Sequence, residues 1–480
     1  MSPLASTTLT DVSRVGAVMG HVRERITRGG LGSGARLPSI RRCAQSLGVS
    51  NSTVVEAYDR LAAAGEITSR RGAGFFVAGS RRPVALAEQV PPVEREIDPL
   101  WVMRHSLETG DDVLKPGCGW MPESWMPTDA IRRALRAEAR GPGEALTGYG
   151  QPLGYAPLRA MLARRLGERE IMTAPNQVLL TDSGTSAIDL LCRLFVRQGD
   201  TVLVDDPCYF NFINTLRAHG ARIVGVPFTP TGPDLDAFAR LAAEHRPRLY
   251  LTTGALHNPT GASPSPTIQH RLLGLIQAHD MMVIEDDIFA DFESDPTTRL
   301  AAFDGLDRVV YVGSFSKMLS ASLRCGFIAA RPEWIEALAD LKLATTFGAA
   351  DLAARVVHRL LADGGYRRHG EAVRARLAKA RIETRDRLNA TGLSLWTEPR
   401  AGLFLWARLP DGQDAVGVSR LAMRAGVVLA PGDVFSVGRR AGDYLRFNVA
   451  QSPPRVFEVL SQAMAEAAGV RLPRPPSLPA

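Results

Sequence analysis

The sequence predicts a multidomain chain: a small helical unit closed by a short hairpin, a Pro-punctuated connector, and a large α/β unit on a mostly parallel sheet. Three observations carry this. First, 480 residues exceed one ordinary domain and suffice to bury large cores. Second, of 57 basic and 50 acidic residues, 12 arginines and five acids lie at or before Arg82, so that segment carries the whole net charge of +7 and the remaining 45 and 45 cancel. Third, apolar residues recur at helical spacing near the start, whereas from Met172 onward short apolar runs alternate with helical segments.

Val15, Val18, Val22 and Ile26 place a helix within Val12–Arg28, and Gly29-Gly30 ends it. Leu37-Pro38-Ser39 opens a second helix, Ile40–Leu47, with Ser39 as its cap and Gly48 as its stop. After the tight turn Val49-Ser50, a helix over Ser50–Ala63 begins with four small polar residues, Ser50, Asn51, Ser52 and Thr53. That is helix-turn-helix spacing, and the second helix of such a unit directs its N-terminal residues at base edges and phosphates. Glu66–Ser69 and Gly74–Ala78 then read as strands around Arg70-Arg71-Gly72, a wing with a basic tip suited to a phosphate backbone. Each element alone reads better as a good cap or a solubilising turn. Their order within one cationic segment favours a polyanion partner.

Leu37-Pro38-Ser39-Ile40-Arg41, Gly48-Val49-Ser50, Thr53-Val54, Ala57-Tyr58, Leu61 and Gly72-Ala73-Gly74-Phe75-Phe76-Val77 together resemble a GntR-type winged helix over 11–79. The resemblance implies double-stranded operator DNA as partner, with Arg41, Ser50, Ser52, Thr53 and the wing arginines Arg70 and Arg71 in contact. Asn51 stands where that family usually carries a basic residue. It is expected to read a base edge without adding charge.

A connector over 80–112 follows, marked by Arg81-Arg82-Pro83 and Val90-Pro91-Pro92-Val93, ahead of a second folding unit over 113–470. The five cysteines, Cys43, Cys118, Cys192, Cys208 and Cys325, are scattered, odd in number and without CxxC spacing, so neither a disulfide framework nor a metal site is expected and a reducing cytoplasm fits. No signal peptide or membrane span is read, because charge, Gly or Pro interrupts every long apolar stretch.

In the second unit, strands are expected at Val178–Thr181, Thr201–Val204, Arg222–Pro227, Leu249–Thr252, Met281–Glu285, Val309–Gly313 and Arg324–Ala330. Ligands of such sheets gather beyond the strands' carboxyl ends, where the polar residues fall. Only four lysines exist, so an aldehyde cofactor has four amines to choose from. Lys342 and Lys379 read as solvated helix positions and Lys115 as a loop residue. Lys317, after the strand Val309–Gly313, is left as the candidate. Ser183-Gly184-Thr185 at a helix start suits a phosphate, as do Ser314, Ser316 and Arg324. Asp286 at a strand end would keep a pyridine nitrogen protonated, Tyr209 would stack on the ring, and Asn258 would bond a ring oxygen. Taken singly, Asn258-Pro259-Thr260-Gly261 is a turn, Asp286 a solvated acid, Tyr209 a packing residue and Arg324 a surface cation. Their succession at consecutive strand ends favours a site.

Tyr149, Gly154, Leu158-Arg159, Ser183-Gly184-Thr185, Asp206-Pro207-Cys208-Tyr209, His257-Asn258-Pro259-Thr260-Gly261, Glu285-Asp286-Asp287 and Ser314-Phe315-Ser316-Lys317 with Arg324-Cys325-Gly326 resemble the fold-type-I aspartate-aminotransferase family. That resemblance implies pyridoxal 5′-phosphate (PLP), an internal aldimine on Lys317, a carboxylate grip by Arg446, and a homodimer in which Tyr149 reaches the partner's phosphate. Ile288 and Phe289 occupy places where the family carries a tyrosine whose phenol bonds the ring oxygen. Gly402–Trp406, Val427–Ala430 and Tyr444–Asn448 are expected as strands of a smaller α+β domain that also takes a returning N-terminal strand. Both modules in one chain resemble MocR-type regulators. The function implied is a transcription regulator sensing PLP or an amino compound, with an active aminotransferase carrying a DNA-binding arm as the alternative.

Overall fold

A computed structural model describes residues 14–28, 30–70, 72–78, 99–110, 112–141, 143–348 and 351–469. Arg71, the connector segment 79–98 and the C-terminal tail fall outside the described residues. The chain separates into two compact units, Met1–Glu94 and Arg95–Ala480.

In the first unit, helices run over Arg14–Thr27, Ile40–Leu47 and Asn51–Ala63, followed by β1 (Ile67–Arg70) and β2 (Gly74–Val77) paired antiparallel. The caps fall where the sequence places them. Ser39 accepts from the Arg42 N–H, Gly48 ends its helix in the left-handed conformation at φ 64°, and Ser50 accepts from the Thr53 N–H. Val18, Val22, Val54, Ala57, Tyr58 and Leu61 converge into one core with Ile67 and Val77 from the hairpin. Tyr58 packs edge-on against Phe75 and donates its hydroxyl to the Pro38 carbonyl at 3.0 Å, which ties wing to turn.

The second unit begins earlier than expected. Pro99–Glu108 is a helix inside the stretch read as connector, and its Trp101 and Met103 pack onto the cluster of Phe210, Trp406 and Phe435.

Its main sheet holds β3 (Val178–Thr181), β4 (Thr201–Asp206), β5 (Arg222–Thr229), β6 (Gly232–Pro233), β7 (Leu249–Thr253), β8 (Met282–Asp286), β9 (Val309–Ser314) and β10 (Gly326–Ala329) in the order β3-β10-β9-β8-β7-β4-β5-β6. The strands from β9 to β5 are parallel. β10 instead runs antiparallel to both β3 and β9, so the sheet is mixed. Parallel strands are buried on both faces, and successive residues serve opposite cores. Val283 and Val309 join one cluster, Ile284 and Val310 the other. The apolar runs of β8 and β9 end in Glu285-Asp286 and Ser314, which puts polar groups at the carboxyl edge.

A second, antiparallel sheet orders β11 (Ser394–Leu395), β12 (Phe404–Arg408), β14 (Tyr444–Asn448) and β13 (Ala430–Pro431) as β11-β12-β14-β13. The strand expected at Val427–Ala430 is shorter and starts later. Val427 instead bridges Leu114, the returning N-terminal segment. Among the described residues no helix is long and apolar enough to cross a membrane.

Candidate cofactor and ligand site

The carboxyl ends of β8 and β9, the turn after β7 and strand β14 bring Lys317, Asp286, Asn258 and Arg446 together. Lys317 is half-buried and donates its Nζ to the Gly119 carbonyl at 2.7 Å. Burial, and next the Arg446 guanidinium, lower its pKa to about 8, against the pull of Cys118 and Asp286. Asp286 is buried; loss of hydration raises its carboxyl to about 7, although the Ile288 N–H at 3.2 Å favours the carboxylate.

Arg446 is 2% exposed. It donates Nη1 to Asn258 Oδ1 at 2.7 Å and Nη2 to the Gly117 carbonyl at 2.6 Å, while its Nε has no partner. The guanidinium lies over the rings of Phe404 and Phe435, and burial brings its pKa down to about 10. With the Asn258 oxygen taken, the Asn258 amide nitrogen is the group left to donate. Tyr209, half-buried, opens the helix Phe210–Ala218.

Ser183 caps the helix Gly184–Phe195 by accepting from the Ser186 N–H at 3.0 Å. Gly184 and Gly326 make that end a close-fitting cradle. A Cβ on Gly326 would come within 2.6 Å of the Ser183 carbonyl carbon, and one on Gly184 within 3.1 Å of Ile288 Cγ2. Thr185 is exposed beside it, and Ser314 donates to Ser316 Oγ at 3.0 Å. Arg324 does not join this group in the structure. It is exposed, holds φ 47°, and makes no hydrogen bond or ion pair among the described residues. Tyr149 is 86% exposed and touches the ring of Phe347.

One reading of a single residue is corrected. Lys342, read as a solvated helix position, is 3% exposed and donates to the Pro152 carbonyl at 2.8 Å, with its pKa lowered by burial to about 8. The burial of Asp286 excludes its bland alternative, a solvated strand-end acid. Lys379 is solvent-facing, as its helical context suggests, and Lys115 donates to the Thr109 carbonyl at 2.7 Å.

Sequence reasoning missed the support beneath the site. Asp205, fully buried, accepts from the Tyr250 hydroxyl and from Thr252 Oγ1 at 2.7 Å, and lies 3.5 Å from His257 Nε2. His257 shares a hydrogen bond with Thr260 Oγ1 at 2.9 Å and stacks on Phe228, fixing the turn that presents Asn258. Asp287 accepts from Arg299 Nε at 2.7 Å and Tyr311 Oη at 2.8 Å, anchoring the strand end that carries Asp286. The signal available was Asp205 beside Asp206 at one strand end, and Glu285-Asp286-Asp287 at another.

In the N-terminal unit, Arg41, Asn51 and Ser52 are exposed on one helix-turn-helix, and Arg70 on the wing lies over the Phe76 ring. The Ser50 hydroxyl also bonds Ser52 Oγ and Thr53 Oγ1, each at 2.8 Å, so its capping role is filled within the chain.

A fold-type-I α/β unit that brings a half-buried lysine together with a buried aspartate, asparagine and arginine defines a PLP-binding protein. Residues 122–464 match the family described as aminotransferase class I and II, and residues 15–77 match the gntR family of bacterial regulatory proteins. The chain belongs to the class I and II aminotransferase family, in the MocR arrangement that joins a gntR module to it. It is 33% identical over 68% of its length, and 83% of the other's, to 2-aminoadipate transaminase of Thermus thermophilus. To the HTH-type transcriptional regulator YisV of Bacillus subtilis it is 27% identical over 90% of this chain and 91% of that one. Among solved structures it resembles LysN, the α-aminoadipate aminotransferase of Thermus thermophilus complexed with N-(5′-phosphopyridoxyl)-L-leucine. That likeness has TM-score 0.70 and 30% identity, covering 77% of this chain and 95% of that one. The cofactor of this domain is PLP. The donor set fits it: an amine of lowered pKa, a buried carboxyl, a free amide nitrogen and a glycine-lined helix start.

Proposed function

We propose that the protein regulates transcription by binding operator DNA through its gntR module and a carboxylate-bearing amino compound through its PLP site. The observation that carries this is the complete Lys317, Asp286, Asn258 and Arg446 constellation in a chain that begins with a winged helix. PLP supplies an electrophilic aldehyde and, with its ring nitrogen protonated, an electron sink.

The chain's own residues would do the rest. The Lys317 amine, neutral in useful amounts near pH 8, would hold the cofactor covalently and return when an incoming amine displaces it. Asp286 would hold the ring-nitrogen proton, and its ionised form would be restored by that cation. The Asn258 amide would donate to the ring oxygen, with Tyr209 against the ring. Ser183, Gly184, Thr185, Ser314 and Ser316 would take the phosphate through the helix start, joined by Arg324 after a swing inward. Arg446 would pair with the ligand carboxylate in a forked geometry, exchanging Asn258 and Gly117 for it. At the DNA, Arg41, Arg70 and Arg71 would meet phosphates, and Ser50, Asn51, Ser52 and Thr53 the groove.

Ile288 and Phe289 supply no phenol to the ring oxygen, which favours ligand sensing over rapid transamination. The transaminase reading stands on the filled catalytic positions and on the 2-aminoadipate transaminase relative. A cytoplasmic homodimer, with exposed Tyr149 completing the partner's phosphate site, belongs to the same proposal. The test records the visible absorption of the PLP-loaded protein while amino acids and DNA are titrated. Borohydride trapping with label at any residue other than Lys317 overturns it, and stoichiometric turnover in both half-reactions makes the protein a transaminase.

A further inference from the structure

Residues Pro116 to Trp120 form a strap in which five consecutive carbonyls are all engaged by side chains or backbone of the site. The Asn448 N–H donates to the Pro116 carbonyl at 2.7 Å, and its side-chain Nδ2 donates to the Cys118 carbonyl at 3.1 Å and the Trp120 carbonyl at 2.7 Å. The two carbonyls between these belong to the chemistry. Gly117 accepts from Arg446 Nη2 at 2.6 Å and Gly119 from Lys317 Nζ at 2.7 Å. Asn448 is fully buried, with its own Oδ1 occupied by the Ala450 N–H, so its amide is fixed in the orientation that holds the strap. At Gly117 the backbone is so close to Leu429 and Ala430 that a Cβ would come within 2.6 Å of either.

The strap follows the helix Pro99–Glu108 closely in the chain. Between them, Leu114 is clamped to the small domain by its N–H to the Gly426 carbonyl at 2.9 Å and its carbonyl from the Val428 N–H at 2.8 Å. The connector to the DNA-binding module is thus joined to the segment held by Lys317 and Arg446 through the helix Pro99–Glu108 and Leu114.

We propose that the strap Pro116–Trp120, pinned by Asn448, is the element through which occupancy of Lys317 and Arg446 reaches the DNA-binding arm. The inference rests on the regulator reading above. Condensation of the Lys317 amine with an aldehyde releases water and leaves the nitrogen at most one hydrogen, so the Gly119 carbonyl loses a donor or competes for the last one. A ligand carboxylate on Arg446 withdraws the donor from Gly117 in the same way. Carbonyls deprived of their partners re-pair or move, and here the segment that moves is linked to the arm through the helix Pro99–Glu108 and the connector. Asn448 touches neither ligand; it is a positioning residue that makes the five carbonyls respond as one piece.

The test uses the full-length protein in three states: free, with PLP, and with N-(5′-phosphopyridoxyl)-L-leucine, which offers a carboxylate and leaves the Lys317 amine free. Amide exchange is followed over 114–121, and affinity is measured for a duplex that the wild-type protein recovers from a random-sequence pool. The expected result is strap exchange that differs among the three states, with a threefold or larger difference in DNA affinity between the two ligands. Asn448→Asp, which sets a carboxylate against two carbonyls, is expected to abolish that difference while keeping the PLP absorption band and the ligand-free affinity within twofold. If wild-type affinity ignores both ligands, the sensor reading itself fails and the strap with it. If wild type responds and Asn448→Asp responds equally, the regulator stands and the strap is overturned. Should the variant not fold, identical strap exchange in the three wild-type states overturns the proposal by itself.

Discussion

The pH dependence of PLP capture follows from the burial of one amine. Lys317 is moved from 10.5 to about 8, chiefly by burial and secondly by Arg446. The attacking form is the neutral amine, and at pH 7 this lowering makes it roughly 300-fold more abundant than on an ordinary lysine. In the sign that follows, protonation silences the amine at low pH and is complete well below 8. Cofactor-free protein mixed with PLP should therefore develop its visible band at a rate that rises about tenfold per pH step up to 8 and levels off above it. An unburied amine would keep climbing to 10 and beyond. Arg446→Met removes the second cause and should move the plateau to higher pH. A wild-type profile still rising steeply through pH 9.5, or one that Arg446→Met shifts downward, refutes the electrostatic account of this site.

Lys317→Ala should lose both the visible band and borohydride-stable label in peptide maps, whereas retention of the band would place the link on another amine. Arg299→Met should cost about 3–5 kcal/mol in urea unfolding, because it strips Asp287 and Glu293 of a guanidinium that is 1% exposed; a smaller loss means those acids find other partners. Arg41→Ala and Arg70→Ala should each flatten the dependence of log affinity on log salt by about 0.9, and an unchanged slope removes that arginine from the phosphate contacts. Ser50→Ala should lower the stability of the N-terminal unit by about 1 kcal/mol, seen as earlier loss of its helical signal on heating, since the Thr53 N–H loses its acceptor.

Much of the fold was legible because local signals agree with the tertiary solution. In the winged unit Ser39, Gly48 and Ser50 occupy the cap positions that their chemistry prefers, so helix ends read from single residues fall within a residue or two of the observed ones. In the α/β unit, strands buried on both faces give continuous apolar runs, and their polar ends mark the site. Direction is another matter. Gly326–Ala329 carries the same apolar run as its parallel neighbours, and nothing local distinguishes its antiparallel course, which depends on the short return from β9. The helix Pro99–Glu108 was hidden by the prolines before it, and its anchor, Trp101 against Phe210, Trp406 and Phe435, comes from residues more than a hundred positions away.

The site divides along the same line. Lys317, Asp286 and Asn258 could be found because each follows an apolar segment or sits in a recognisable turn, whereas Arg446, in the middle of β14, is reached only through the family resemblance. Asn448 and the Gly117–Trp120 carbonyls could not, because a backbone carbonyl has no signature in the sequence and Asn448 gains its meaning only from packing. Lys342 shows the converse: a basic residue in an Ala- and Leu-rich helical stretch reads as solvated, yet the fold buries it against the Pro152 carbonyl. Arg324 shows how far the backbone alone can carry a prediction. Its position after β9 is where a phosphate clamp is expected, yet its side chain is exposed and its backbone holds φ 47°. A clamp there requires the guanidinium to turn toward the phosphate. Inorganic phosphate should then protect the Arg324 side chain from dicarbonyl modification in the cofactor-free protein, and equal labelling with and without phosphate would exclude the clamp.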